Sequence, residues 1–119
     1  MLISRLTVSV LTAVVLCVAP LAYAHAIVLS ATPGQREAVT GPDVPVKLRF
    51  NSRIDAKRSR LVLLTPDGKQ QNLSITEAEA GDSLQAEATG LKSGSYVLRW
   101  QVLAGDGHIT RGELPFSVK

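Results

Sequence analysis

SGSYVLRWQVLAGDGHITRGELPFSVK, residues 93–119, is the stretch that decides the fold. Apolar side chains occupy alternate positions in each half of it, at Tyr96, Leu98, Trp100 and Val102 and again at Leu114, Phe116 and Val118. This alternation is typical of β-strands that bury one face. Asp106-Gly107, between the two halves, is a dipeptide that favours a hairpin turn. We therefore predict two strands joined by a turn at this end of the chain.

The same period of two recurs through the earlier part of the chain. Further strands are predicted at Val46–Phe50, Ile27–Ser30, Leu61–Thr65, Leu73–Thr76 and Leu84–Ala88. Turns rich in Gly and Pro separate them, such as Thr32-Pro33-Gly34 and Pro66-Asp67-Gly68. About seven short strands without a convincing helix predict an all-β, immunoglobulin-like antiparallel β-sandwich. The aromatic residues expected in its core are Phe50, Tyr96, Trp100 and Phe116.

Residues 1–24 have the features of a cleavable secretory signal peptide. Arg5 is the only charged residue there, Leu6–Val18 is apolar, and Ala22-x-Ala24 offers the small residues that signal peptidase accepts. A retained membrane anchor is the weaker alternative, since a transmembrane helix needs about 20 apolar residues. We predict export to the periplasm, a mature domain of residues 25–119 and no stable membrane anchor after cleavage.

The mature composition argues against several functions. Without Arg5, 12 of the 13 basic residues remain against 10 acidic ones, a formal charge of +2. This bias is too weak to indicate nucleic-acid binding. Cys17 is the only cysteine and falls in the signal peptide, so the mature chain has no thiol nucleophile. No phosphate-binding loop or paired-carboxylate motif occurs, and we predict that the protein is not an enzyme.

The two histidines of the chain, His25 and His108, carry its clearest chemical signal. An N-terminal His25 offers its free amine and its ring Nδ1, which can chelate one metal ion. His108 adds an imidazole and Asp106 a carboxylate, and side chains two residues apart in an extended segment point the same way. Three nitrogens and one oxygen in a tetragonal set suit Cu(II). We predict a histidine brace that holds one Cu(II) per chain, with Thr110 or Glu113 orienting the His108 ring.

Three segments resemble the CopC family of periplasmic copper-binding proteins. They are HAIVLSATPG (residues 25–34), VKLRFNSRID (residues 46–55) and residues 93–119, which match the closing pattern Gly-x-Tyr-x-(Val/Leu)-x-Trp, Asp-x-His and Gly-x-x-x-Phe-x-Val. The resemblance implies a Greek-key β-sandwich that acts as a copper carrier or buffer in copper tolerance or uptake. It also implies that His25, Asp106 and His108 bind Cu(II), and that an inner-membrane protein of CopD type is a partner.

The chain departs from this family's pattern in two places. Some members carry a Met-rich loop for Cu(I), whereas Met1 is the only methionine here, so we expect a site for Cu(II) alone. Members commonly place an acidic residue after the Leu-x-Phe strand, where this chain has Asn51. Basic side chains follow at Arg53, Lys57, Arg58 and Arg60. They would weaken dication binding if this loop lies near the metal, and they are interpreted as a solvated loop or as a contact for anionic lipid or an acidic partner.

Two other functions remain open from the sequence. A histidine brace also occurs in copper oxidoreductases, although Asp106 would occupy a position that oxygen chemistry needs. A metal-free periplasmic interaction domain is the other alternative, with Asp106-Gly107-His108 as an ordinary exposed turn. Cleavage after Ala22 or Ala26 instead of Ala24 would favour that alternative, because His25 would then not be the first residue.

Overall fold

The computed structural model describes residues 26–77 and 81–119. The predicted signal peptide and His25 lie outside this part of the chain. The described residues form nine strands and no helix, so none of them belongs to a helix able to cross a membrane. The strands are β1 (Val28–Thr32), β2 (Ala38–Val39), β3 (Val44–Phe50), β4 (Ile54–Leu64), β5 (Gln70–Leu73), β6 (Thr76–Glu77), β7 (Ser83–Ala88), β8 (Gly94–Ala104) and β9 (Ile109–Val118).

The strands form two sheets around a shared core. One sheet has the order β1-β3-β7-β6 and the other the order β2-β9-β8-β4-β5. All neighbours are antiparallel except β2, which runs parallel to the end of β9. The predicted all-β, immunoglobulin-like sandwich is confirmed. Strands β2 and β6 have only two residues each, too few to produce an alternating pattern in the sequence.

The core follows the predicted alternation. In β3 the residues Val44, Val46, Leu48 and Phe50 are buried, and the residues between them are exposed. Tyr96 and Phe116 are also buried, and their rings stack with centroids 5.6 Å apart. Trp100 is only half-buried, against the prediction of a core position. It lies beside Gly112, where β9 pairs with β8 but not with β2.

Two strands differ from the sequence prediction. The predicted strand Leu73–Thr76 is wrong, because β5 ends at Leu73 in one sheet and β6 begins at Thr76 in the other. Strand β4 begins at Ile54, well before the predicted start at Leu61. A bulge interrupts its pairing with β8 after Asp55, so the charged residues there break the period of two.

The long β8–β9 hairpin forms one end of the sandwich, where Asp106 and His108 lie. Its register runs without a shift from Gly94 opposite Val118 to Leu103 opposite Ile109. The hairpin then closes through a hydrogen bond from the Ala104 N–H to the His108 carbonyl, 2.8 Å. The predicted Asp106-Gly107 turn is therefore the tip of this hairpin.

We predict that Gly112→Ala destabilises the fold by about 1–3 kcal/mol, because the added Cβ would overlap the Trp100 ring. Gly105→Ala is the matched control, since a Cβ there would lie 3.5 Å from the Arg53 Cβ, an ordinary contact. Its unfolding free energy should change by less than about 0.5 kcal/mol. Urea unfolding followed by Trp100 fluorescence measures both variants. Equal stability of the two would contradict the packing described for Trp100.

Candidate metal centre

The hairpin turn has a backbone that requires glycine at one position. Gly107 has a φ of +91°, a conformation that L side chains rarely adopt. Its N–H donates to the Ala104 carbonyl at 2.9 Å, a second hydrogen bond across the turn. The residues on either side of Gly107, Asp106 and His108, are consequently held in a tight and defined geometry.

The turn brings Asp106 and His108 together. Oδ1 of Asp106 accepts a hydrogen bond from the His108 backbone N–H at 3.1 Å, which is an Asx-type turn. Its other oxygen, Oδ2, lies 3.2 Å from the ring Nδ1 of His108. The two side chains meet as the sequence predicted, but through the turn and not through alternation along a strand. Both remain substantially exposed, 42% for Asp106 and 57% for His108.

These contacts lower the pKa of the Asp106 carboxyl below its ordinary value of 3.8. The hydrogen bond from the His108 backbone N–H is the largest cause, and the charge and ring N–H of His108 act in the same direction. Desolvation opposes these effects without reversing them. Asp106 is therefore ionised at neutral pH and can act as an oxygen donor to a cation.

The start of the described chain lies against the same end of the sandwich. The Ala26 N–H donates to Oγ1 of Thr110 on β9 at 3.3 Å. The Ile27 N–H donates to Oδ1 of Asn51 at 2.8 Å, and the Asn51 N–H donates back to the Ile27 carbonyl at 2.9 Å. Thr110, on β9, and Asn51, directly after β3, thus hold the first two described amides. Thr110 is two residues from His108, so this anchored segment is adjacent to the turn.

These anchors change two sequence interpretations. Thr110 was expected to orient the His108 ring, and its hydroxyl instead holds Ala26. The other residue proposed for that role, Glu113, pairs with Arg99 at 3.2 Å. Asn51 was noted only for the missing acid, yet its amide is the anchor for Ile27. The one sequence feature that could have indicated this role of Asn51 is its position directly after the buried strand β3.

The loop after β3 lies beside the turn, but its basic side chain is turned to another neighbour. The Arg53 carbonyl accepts a hydrogen bond from the Gly105 N–H at 2.9 Å. The Arg53 guanidinium lies against Gly81, where an added Cβ would be 3.3 Å from Nη2. The backbone of this loop is therefore next to the turn, and the Arg53 guanidinium lies against Gly81.

Two of the three predicted ligands are in the described part of the chain. Within residues 26–77 and 81–119, no three His, Cys, Asp or Glu side chains are grouped closely enough to hold a metal ion. The third predicted ligand, His25, directly precedes the first described residue. The Asp106–His108 pair by itself offers an imidazole nitrogen and a carboxylate oxygen, a donor set that borderline divalent metals accept.

Fold and site together define a small immunoglobulin-like β-sandwich with a carboxylate–imidazole turn at one end. The chain belongs to the CopC domain family, which matches residues 28–119. This confirms the resemblance inferred from the sequence. Protein YobA of Escherichia coli K12 is 30% identical over 107 residues, which cover 86% of this chain and 85% of YobA.

Two solved structures are similar over most of the sandwich. CopC from Methylosinus trichosporium OB3b has a TM-score of 0.72 at 30% identity, covering 80% of this chain and 94% of that protein. PcoC from Escherichia coli, a methionine-rich copper resistance protein, has a TM-score of 0.66 at 22% identity, covering 81% of this chain and all of PcoC (100%). The likeness to PcoC shows the shared fold.

We predict that the Asp106 carboxyl titrates with a midpoint below 3.8 in the metal-free protein. Because the folded pKa is lowered, the stabilisation of the turn is present above pH 3.8 and is lost as the pH falls through the folded pKa. The carboxyl ¹³C shift, followed by NMR, measures the midpoint. In His108→Ala it should move towards 3.8 and stay below it, because the backbone N–H remains. A wild-type midpoint at or above 3.8 would contradict the hydrogen-bond geometry.

Proposed function

We propose that the protein is a periplasmic Cu(II)-binding protein, a carrier or buffer in copper homeostasis. One observation carries the proposal: the Asp106–His108 pair lies beside the anchored start of the described chain, where Ala26 is bonded to Thr110. Membership of the CopC domain family supports it, as does the 30% identity to CopC from Methylosinus trichosporium OB3b over 80% of this chain. The proposal includes a signal peptide at residues 1–24, cleaved after Ala24.

His25 completes the proposed donor set through its covalent link to Ala26. The proposal places His25 near the turn because it is the chain neighbour of Ala26, whose N–H donates to Thr110. With a free amine, His25 supplies two nitrogens. Together with the His108 imidazole and the Asp106 carboxylate they make three nitrogens and one oxygen, a tetragonal set that suits Cu(II).

The contact between Asp106 and His108 favours one ring nitrogen as the copper ligand. Nδ1 of His108 faces Asp106 at 3.2 Å, so Nε2 is the nitrogen that we assign to copper. A carboxylate holding the second nitrogen fixes the tautomer and the ring orientation of a metal-binding histidine. Nδ1 and Nε2 point to opposite sides of the ring, so Asp106 orients His108 in the metal-free protein, and its carboxylate must leave Nδ1 to donate to copper.

The same donor set favours binding over catalysis. Four donors fill the four strong positions of a tetragonal Cu(II) ion, and none is left for oxygen activation. The mature chain has no methionine or cysteine, the soft ligands that Cu(I) prefers. We therefore propose one Cu(II) per chain, held as cargo and exchanged with a membrane copper protein of CopD type.

The deciding experiment is a Cu(II) titration of the mature protein that begins at His25, against a competing chelator. We predict one-to-one binding that collapses in a copy with one extra glycine before His25, because the extension replaces the free amine by an amide. Asp106→Asn and His108→Ala should each weaken binding. Equal affinity of the two copies would exclude the amine brace, and no competitive binding in either would leave a metal-free domain.

We predict that Thr110→Val weakens Cu(II) binding about three- to tenfold, the equivalent of one lost hydrogen bond, because Ala26 loses its anchor. Asn51→Ala should act similarly through Ile27. Thr110→Ser is the matched control and should keep wild-type affinity, since it retains the hydroxyl. The same chelator competition measures all three variants.

A second measurement separates positioning from general stability. In the glycine-extended copy, Thr110→Val should have no further effect on the residual Cu(II) affinity, because the amine is already lost. An equal loss of affinity in both backgrounds would show that Thr110 does not act through the chain start.

A further inference from the structure

Three arginines from neighbouring strands lie in two adjacent rows on the outer face of the five-stranded sheet. By register, Arg60 on β4 lies opposite Gln101 on β8, and Gln101 lies opposite Arg111 on β9. The next row on the same face is Val62, Arg99 and Glu113. Paired residues, and residues two apart along a strand, project from the same face. Three guanidinium groups from three strands are therefore grouped on the face that points away from the core.

These side chains line a shallow groove of about 490 Å³. Arg60, Arg99 and Arg111 are exposed, and Gln70 and Gln101 add amide groups to the lining. Trp100 and Gly112 complete the surface together with Val62 and Glu113. The groove thus combines charged donors with uncharged hydrogen-bonding groups and an aromatic residue.

The charge of the groove is positive. Glu113 is the one acidic residue of its lining, and its Oε2 lies 3.2 Å from Nε of Arg99. Arg111 donates from Nε to Oε1 of Gln101 at 2.9 Å, a neutral partner that leaves its charge uncompensated. Three arginines against one carboxylate give the lining a formal charge of +2.

We propose that this groove binds an acidic segment, rich in Asp and Glu, of a partner protein. Guanidinium forks match the planar geometry of carboxylates and can bind them through two parallel hydrogen bonds. Arg60 and Arg111 are separated by one strand, which places their backbones about 10 Å apart at the usual strand spacing. A groove with arginines on both sides can contact carboxylates on both sides of one extended acidic segment.

The groove lies close to the proposed copper ligands, so a docked partner could exchange copper with them. This inference rests on the proposed function. Arg111 is three residues beyond His108, which corresponds to about 10 Å along β9. Ile109, on the same face and 50% exposed, lies between them and offers an apolar contact. A partner held in the groove would therefore have its own residues next to the proposed copper ligands.

The sequence did not reveal this group of arginines. It showed a run of basic residues from Arg53 to Arg60, which the structure disperses. Arg53 lies against Gly81, and Arg58 lies 3.8 Å from the carboxylate of Asp55. Only Arg60 of that run joins the groove, and its companions Arg99 and Arg111 come from other strands.

The test uses copper-free mature protein and an oligoglutamate peptide as the probe, with oligoglutamine as the uncharged comparison. NMR shifts of Arg60, Gln101 and Arg111 locate the site, and fluorescence of Trp100, the single tryptophan of the chain, follows saturation. We expect oligoglutamate to bind at low salt, to perturb these residues and to be weakened by added salt, because exposed charges are screened.

Matched double variants distinguish the groove from net charge. Arg60→Gln/Arg111→Gln should weaken oligoglutamate binding roughly fivefold, near the middle of the range for the loss of two exposed ion pairs. Lys47→Gln/Lys119→Gln removes the same charge from exposed positions outside the groove and should change binding less than about twofold. Equal losses in the two variants, or no binding of oligoglutamate, would overturn the proposal.

The remaining outcomes are also decisive. Binding to phosphatidylglycerol vesicles without binding to oligoglutamate would overturn the protein partner in favour of a lipid surface. Because no copper is present, the result is independent of the brace: oligoglutamate binding with failed Cu(II) binding would remove only the proposed function. Normal Cu(II) binding without oligoglutamate binding would exclude only the proposed docking of an acidic segment in the groove.

Discussion

The β8–β9 ladder is the constraint on which the fold and the candidate site depend. Its register continues without a shift over the whole hairpin and ends at the Asp106-Gly107 turn. A slip of one residue would exchange the two faces of both strands. The register that buries Leu98 and Phe116 therefore also sets the outer face and fixes which residues form the tip. Core packing and site geometry are consequences of the same pairing.

The second element of the candidate site belongs to the other sheet, so the proposed metal centre requires the closed sandwich. Strand β1 pairs with β3, whereas the turn belongs to β8 and β9. Asn51 and Thr110 reach the first described amides from the two sides. A ligand that bridges these parts binds the folded state alone, and its binding free energy adds to stability by mass action.

The sequence was most informative where one face of a strand is buried. It predicted the sandwich, the buried rings of Phe50, Tyr96 and Phe116, and the turn that joins Asp106 to His108. It was wrong at Leu73–Thr76, because an apolar residue beside the crossing between sheets looks like a continuing strand. It could not assign Asn51 its anchoring role, since that depends on a contact across 24 residues of sequence. The contribution of His25 remains a prediction.

A net positive protein would repel a metal cation, but its charges are arranged so that a cation site is still possible. The sequence suggested that the basic residues after Phe50 would oppose a dication. In the structure the ionised Asp106 lies within the turn, while Arg60 and Arg111 project from the outer face of the sheet. The backbone of Arg111 is about 10 Å along the strand from His108, and the Debye length at physiological ionic strength is about 8 Å. Screening at that separation weakens the repulsion between Arg111 and a bound dication, so the basic groove and the proposed copper site are compatible on one hairpin.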